Sequence, residues 1–285
     1  MNVVNLTPAM RRLAELLESR TGQNLSENRI WRLETSLKPV LKSHGMHSLD
    51  ELVEAITRDP AGALAQESVN ALLNNETSFF RDAHQFQMIG RTMLPQLMER
   101  IEAEGGDRML RIWCAGCSTG QEAYSLAMLI RREIETHSGW RFRILATDIS
   151  TSCIERANSG LFAQADVQRG LPINDLLRWF EPVGDRWQIH SALRAMIEFR
   201  VDNLFECRAP RGEYDIVLCR NVLLYFSGER KRLLFKKLAA HCKANGHLLL
   251  GAGEAVIGHT SEFVASQRFR GTYERVDPSV RGAHK

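Results

Sequence analysis

The sequence predicts an α/β protein: a doubly wound, mainly parallel sheet, preceded by an all-helical N-terminal domain and carrying a small β insertion. Three observations lead there. In RIWCAGCSTGQEAYSLAMLI (111–130) an apolar, β-prone run from Met109 to Trp113 breaks into a small-residue loop, Ala115 to Gly120, that opens directly into a helical pattern, Glu122 to Ile130. Strand, tight turn and helix in that order form the first nucleotide-binding unit of a doubly wound sheet. Strand-like and helix-like segments then alternate to the end of the chain, the pattern of parallel strands with helices on both faces. Everything before residue 72 instead shows helical periodicity.

Four apolar stripes make up that first region: Leu13, Leu16 and Leu17; Ile30, Leu33 and Leu37; Leu49, Leu52, Val53 and Ile56; and Leu64, Val69, Leu72 and Leu73. Thr21-Gly22, Ser43-His44-Gly45 and Asp59-Pro60 separate them, so residues 1–72 read as a helical domain. Residues 73–106 read as a linker with a helix from His84 to Glu102, ending at the Gly105-Gly106-Asp107 turn. Residues 107–285 form the α/β domain, with strands expected at 109–114, 142–147, 196–201, 214–219, 246–251 and 269–276, and helices near 121–135, 150–158 and 228–243. In 161–195, Trp179-Phe180, Gly184-Asp185 and Trp187-Gln188-Ile189 read as an inserted hairpin. The charged tail after Val276 is expected to fray.

Composition narrows the function. A net charge of +3 with pI about 8.6 lacks the concentrated basic stripe of a nucleic-acid binder, so no nucleic acid is expected. No apolar run reaches membrane-spanning length, and the first residues lack a signal-peptide layout, so a soluble, cytoplasmic protein without membrane insertion is expected. Cys114 and Cys117 form a C-x-x-C pair, but no second pair or His pair lies at ligand spacing. Small residues at a strand end are the preferred reading, and no metal is expected.

Three places can carry chemistry. Glycines in the 115–120 loop should allow close backbone approach to a ligand, and Asp148, ending the second strand, is placed to accept hydrogen bonds from ribose hydroxyls. Asn75-Glu76-Thr77-Ser78-Phe79-Phe80-Arg81 sets polar residues around paired aromatics; Phe79 and Phe80 read as core, while Asn75, Thr77 and Arg81 are candidates for a ligand cleft. The run from Tyr214 reads as a buried strand ending at Arg220-Asn221, on the edge where open α/β sheets bind ligands. Tyr225 lies about a turn beyond, either as part of that site or as an interfacial aromatic.

Together these segments resemble the CheR family of chemotaxis receptor methyltransferases. N-x-T-x-F-F-R at 75–81 is similar to that family's signature, A-G-C-S-T-G-x-E at 115–122 to its cofactor loop, C-R-N-V-L-L-Y-F at 219–226 to its fourth strand, and Gly246 to Gly251 to a later G-x-L-x-L-G strand. Gln121 and Ala123 stand where Glu and Pro are frequent, while Glu122 is kept. The resemblance implies a class I methyltransferase, Rossmann-like fold with a β-subdomain at 161–195. It implies S-adenosylmethionine as cofactor and S-adenosylhomocysteine as product, with Asn75, Thr77, Arg81, Glu122, Asp148, Asn203, Leu204, Arg220 and Asn221 around them. Arg81 and Tyr225 are implied to lie near the methyl group as catalytic residues. The implied reaction is methylation of glutamate carboxylates on the cytoplasmic domain of a methyl-accepting chemoreceptor, by an enzyme expected to be a monomer. Arg29, Arg32, Lys38 and Lys42 of the helical domain could meet acidic receptor surface.

An ionised glutamate needs no general base, so alignment of oxygen, methyl carbon and sulfur is the enzyme's main task. A class I methyltransferase acting on a small molecule or RNA, or a non-catalytic sensor of the cofactor or its product, are the competing readings.

Overall fold

A computed structural model describes residues 6–25 and 32–277. The chain divides into two compact units, Met1–Asn74 with Tyr225–Arg230, and Asn75–Leu224 with Lys231–Lys285.

Among the described residues, the first unit contains four helices. In α1 (Pro8–Thr21) the Thr7 hydroxyl caps the Met10 N–H at 3.2 Å, Pro8 occupies the first turn, and Gly22 ends the helix at φ 75°. α2 (Arg32–Ser43) runs through Pro39; α3 (Leu49–Arg58) is capped by Ser48, and α4 (Ala63–Leu72) follows. Leu13, Leu17, Leu33, Leu37, Leu52, Ile56 and Val69 are buried, while Leu16, Val53 and Leu64 are half-buried. Ile30 and Arg29 lie outside the described residues, as does the side chain of Arg32. Lys38 and Lys42 are exposed one turn apart on α2. The return of residues 225–230 to this unit has no signal in the sequence. Asn24 N–H donates to the Tyr225 carbonyl at 2.7 Å, and the Asn74 side-chain amide donates to the Tyr225 hydroxyl.

The second unit begins with the Asn75–Arg81 segment and a helix in three parts: α5 (Ala83–Met88), a π-helical turn (Ile89–Met93) and α6 (Leu94–Ala103). Pro95 accounts for the π turn, because it lacks the N–H for an ordinary helical bond and its ring crowds the carbonyl of Arg91. A seven-stranded sheet follows, assembled from β1 (Met109–Ala115), β2 (Arg141–Asp148), β6 (Ile197–Val201), β7 (Tyr214–Cys219), β8 (Cys242–Leu250), β9 (Phe263–Ala265) and β10 (Thr272–Arg275). Its order is β6-β2-β1-β7-β8-β10-β9. β6, β2, β1, β7 and β8 pair in parallel, and β10 is antiparallel to both its neighbours. Helices α7 (Gln121–Thr136), α8 (Thr151–Ser159) and α12 (Gly228–His241) lie in the connections. Trp113, Tyr124, Leu110, Ile112, Ile216 and Leu218 are fully buried, as expected for a parallel sheet covered on both faces.

Two boundaries differ from the sequence reading. β8 starts at Cys242, four residues before the expected strand, because Cys242 pairs with Tyr214 across a bulge that absorbs Asn245 (φ 58°). Gly246 is required there, since a Cβ would lie 2.7 Å from Cys242 Sγ and 2.9 Å from the Lys243 carbonyl. The expected strand 269–276 is shorter, and its first residues instead turn the chain from the unforeseen β9. The insertion holds the expected hairpin, β4 (Phe180–Val183) and β5 (Arg186–Ile189), turned at Gly184 (φ 59°). It also holds β3 (Leu161–Ala163), which pairs with β5 to complete a separate three-stranded sheet, and helices α9 (Gln164–Gln168), α10 (Ile173–Trp179) and α11 (Ser191–Arg194).

Candidate functional site

Strand order reverses direction between β1 and β7, so the carboxyl ends of the parallel strands form the crevice where such sheets take ligands. Asp148 ends β2, Arg220 and Asn221 follow β7, Asn203 and Leu204 follow β6, and Asn75 bonds to the loop after β1.

The loop after β1 is anchored to β2. Gly116 and Cys117 N–H groups donate to the Thr147 carbonyl at 2.8 and 2.9 Å, and Ser118 N–H donates to Asp148 Oδ2 at 2.8 Å. Gly116 and Gly120 have φ of 82° and 91°. A Cβ on Gly116 would lie 2.6 Å from Val222 Cγ2, and one on Gly120 would lie 2.9 Å from Ala157 Cβ. Packing against the protein itself and the positive φ already require glycine at both positions. Cys114 and Cys117 are buried, free thiols; burial pushes both well above the ordinary thiol range, which disfavours the thiolate that redox or metal chemistry requires.

Asp148 is held on both oxygens, Oδ2 by Ser118 and Oδ1 by Ser150 N–H at 2.9 Å, with further lone pairs available. Burial pushes its carboxyl up, opposed by these backbone donors. Beside it, β6 ends in register with Asp148, and Asp202 N–H donates to the Asp148 carbonyl at 2.9 Å. Asn203, next in the chain, turns its Oδ1 onto Phe205 N–H at 3.0 Å, and Leu204 is buried.

Asn75 joins the loop through its carbonyl, which accepts from the Ser118 hydroxyl at 2.7 Å. Thr77 is half-buried. Phe79 is buried edge-on against Phe162 and Phe180 of the insertion, and Phe80 packs on Phe86 while its N–H donates to Ser125 Oγ at 2.9 Å. The core reading holds for Phe79; Phe80 is half-buried and packs against the core. Arg81 donates to the Glu76 carbonyl at 3.0 Å, and among the described residues it ion-pairs with no carboxylate.

Arg220 is the opposite case. Its side chain is 2% exposed and pairs with Glu122 at 2.8 Å and Asp82 at 2.7 Å, and it also donates to the Arg81 carbonyl at 2.6 Å. It ties the Arg81 segment to α7 and to the end of β7. Glu122 is 13% exposed on its side chain; burial pushes its carboxyl up, with Arg220 opposing. Asn221 sits at φ 60° with its amide against Gly251, where a Cβ would lie 2.6 Å from Asn221 Nδ2. Tyr225 falls in the first unit and Arg81 in the second.

Sequence reasoning missed Asp82 and Glu254. The Glu254 carboxylate accepts from three backbone groups, Asn221 N–H and Leu223 N–H at 2.7 Å and Gly251 N–H at 2.8 Å. The Gly251-Ala252-Gly253 turn ahead of it, at a strand end, was the available signal. Among the described residues, five non-glycine residues adopt positive φ, and four of them, Phe80, Asp82, Ser118 and Asn221, lie in these segments. Such backbone costs about 1–3 kcal/mol per residue and persists where the surroundings over-determine it, as at ligand sites.

The groups present suit a nucleoside carrying a cationic amino-acid tail. Asp148, bonded to the loop after β1, and Glu122, which follows that loop, are carboxylate acceptors for hydroxyls and an ammonium. Comparison with known proteins agrees. Residues 75–270 match the family described as CheR methyltransferase, SAM binding domain. Chemotaxis protein methyltransferase Cher2 of Pseudomonas putida is 37% identical, covering 85% of this chain and 88% of that protein. Chemotaxis protein methyltransferase 1 of Pseudomonas aeruginosa is 39% identical over 84% of this chain and 87% of its own length. A chemotaxis protein methyltransferase of Vibrio anguillarum is 33% identical over 89% and 91%. With the strand order, the anchored loop and the sequence match in agreement, the chain belongs to the CheR family and is an S-adenosylmethionine-dependent methyltransferase.

Proposed function

We propose that this enzyme methylates glutamate side chains on the cytoplasmic domain of a chemoreceptor, as a monomer in the cytoplasm. The relatives' names supply the chemotaxis context. The observation that carries the glutamate assignment is the contrast between two arginines: Arg220 is ion-paired with two carboxylates of this chain, Asp82 and Glu122, whereas Arg81, on the signature segment, ion-pairs with none among the described residues. Arg81, bonded to the Glu76 carbonyl, thus keeps guanidinium donors to orient an incoming carboxylate. Asn75, Thr77, Arg81, Glu122, Asp148, Asn203, Leu204, Arg220 and Asn221 surround the cofactor in this reading, with Asp148 on the ribose and Glu122 on the tail. Tyr225 assists transfer through its hydroxyl.

Bound S-adenosylmethionine supplies a methyl group activated by a sulfonium, which leaves as a neutral thioether. The substrate oxygen is already anionic at neutral pH, so the residues here move no proton. Their task is to align the oxygen and exclude water, because opposite charges vanish in the transition state and water would favour the separated ions. Arg81 must orient without gripping, since an ion pair equally strong before and during transfer gains no rate.

The test is methyl transfer from radiolabelled cofactor to receptor cytoplasmic domains, followed by mild base. A glutamate methyl ester releases volatile methanol. Label that stays bound under base, or that enters RNA or small molecules instead, overturns the assignment. Arg81→Ala is expected to lower methyl transfer much more than it weakens binding of S-adenosylhomocysteine.

A further inference from the structure

We propose that Glu254 is a positioning residue of the methyl-transfer site: one carboxylate holds the loop after β7 in place by binding three backbone N–H groups at the ends of two strands. This rests on the reading that Arg220-Asn221 forms part of the cofactor site.

The loop needs such a device. β7 ends at Cys219, so the amides of Asn221 and Leu223 lie past its ladder and must find partners elsewhere. Asn221 also adopts φ 60°, the left-handed region that asparagine enters more readily than other side chains. Glu254 supplies the constraint with both oxygens. Oε2 accepts from Asn221 N–H at 2.7 Å and Gly251 N–H at 2.8 Å, and Oε1 accepts from Leu223 N–H at 2.7 Å. Bonds from N–H groups to a carboxylate are short and roughly twice as strong as neutral ones.

The effect reaches the cofactor loop through Val222, which lies between the two clamped amides. Its Cγ2 packs so closely on Gly116 that a Cβ there would be 2.6 Å away. Clamping Asn221 and Leu223 therefore sets the wall against which the start of the 116–120 loop rests. Glu254 links the ends of β8, β7 and β1, while its own oxygens are committed to backbone amides.

Charge and geometry are both required. A glutamine can keep at most the bonds to one of its two terminal atoms, because its amide nitrogen would face an N–H donor with another donor. Alanine loses all three bonds and leaves converging N–H groups, a ready site for a small anion.

The experiment measures S-adenosylhomocysteine affinity by calorimetry, and methyl transfer at saturating cofactor, for wild type, Glu254→Gln and Glu254→Ala. Affinity is expected to fall about tenfold or more in Glu254→Ala and less in Glu254→Gln. Added acetate should restore Glu254→Ala in a saturable manner and leave wild type unchanged, which a general loss of stability would not do. If the alanine variant does not fold, the glutamine variant carries the test. Affinity within twofold of wild type in every folded variant, or a loss that acetate does not reverse, overturns the proposal. Because binding is read without any receptor, a wild type that binds but does not methylate glutamate would fail the functional reading and leave this one standing.

Discussion

Arg220→Met removes the cation at the centre of the site and replaces it with an apolar side chain of similar reach. Two carboxylates lose their partner, but not equally. The Asp82 side chain is 33% exposed and can rehydrate, so its loss costs little. Glu122 is 13% exposed and cannot. Breaking a buried pair by deleting one partner leaves an uncompensated charge and costs about 3–5 kcal/mol. Burial already pushes the Glu122 carboxyl up, and without Arg220 it rises further, so the variant should recover part of its stability as pH falls. Glu122→Gln introduced into Arg220→Met removes the orphan charge and should return roughly 2 kcal/mol of the loss, a coupling that additivity forbids. Urea unfolding followed by tryptophan fluorescence is suited to the question, because Trp113, Trp140, Trp179 and Trp187 all belong to the second unit. A loss below about 1 kcal/mol in Arg220→Met, or a double variant less stable than that single one, would refute the reasoning.

Asp148 should make cofactor binding pH-dependent: its ionised form accepts the hydroxyl bonds and burial raises its carboxyl, so affinity is full above that raised value and falls as pH drops through it. Calorimetry in buffers of different ionisation enthalpy should then show proton release on binding; none would remove Asp148 from the linkage. His247 is 1% exposed with both ring nitrogens unpartnered, and burial lowers it from 6.5 to about 4. The unfolded chain therefore binds the extra proton first, and stability is full above pH 6.5 and falls between 6.5 and 4 by up to about 1.4 kcal/mol per pH unit. His247→Leu should flatten that limb in urea titrations at pH 7 and 5, and an unchanged slope counts against it. Reversing Lys38 and Lys42 to Glu should raise the receptor KM with S-adenosylhomocysteine affinity unchanged; identical receptor kinetics would exclude α2 from recognition. Tyr225→Phe should slow single-turnover transfer roughly tenfold, about 1.4 kcal/mol of barrier, and a fully active variant would leave Tyr225 a structural residue.

Sequence reading worked best where burial is complete. β7 matches its expected limits because all six of its residues are buried and only Asp215 interrupts its apolar run. It failed where local chemistry imitates another element. Asn245-Gly246 has the look of a hairpin turn, yet it lies inside β8, absorbed by a bulge that only the partner strand reveals. Phe263-Val264-Ala265 is too short for any periodicity. At the site, motif residues were legible but their partners were not. Nothing in the spacing of Arg220, 98 residues from Glu122 and 138 from Asp82, announces that the three meet. Glu254 is likewise one glutamate among many until the three amides facing it are seen.

The central strand of the sheet also has a temporal consequence. β1 pairs on one side with β2, soon after it in the chain, but on the other with β7, Ile112 lying opposite Ile216. The whole insertion is translated in between. At about 5–20 residues per second, a ribosome needs roughly 5–20 s to supply those intervening residues. For that interval the edge of β1 has no partner strand, a template open to pairing with any other extended segment. The nascent chain is therefore most exposed to misassembly in the middle of its synthesis, and codon choice or chaperone capture between residues 150 and 215 is where its yield would be won or lost.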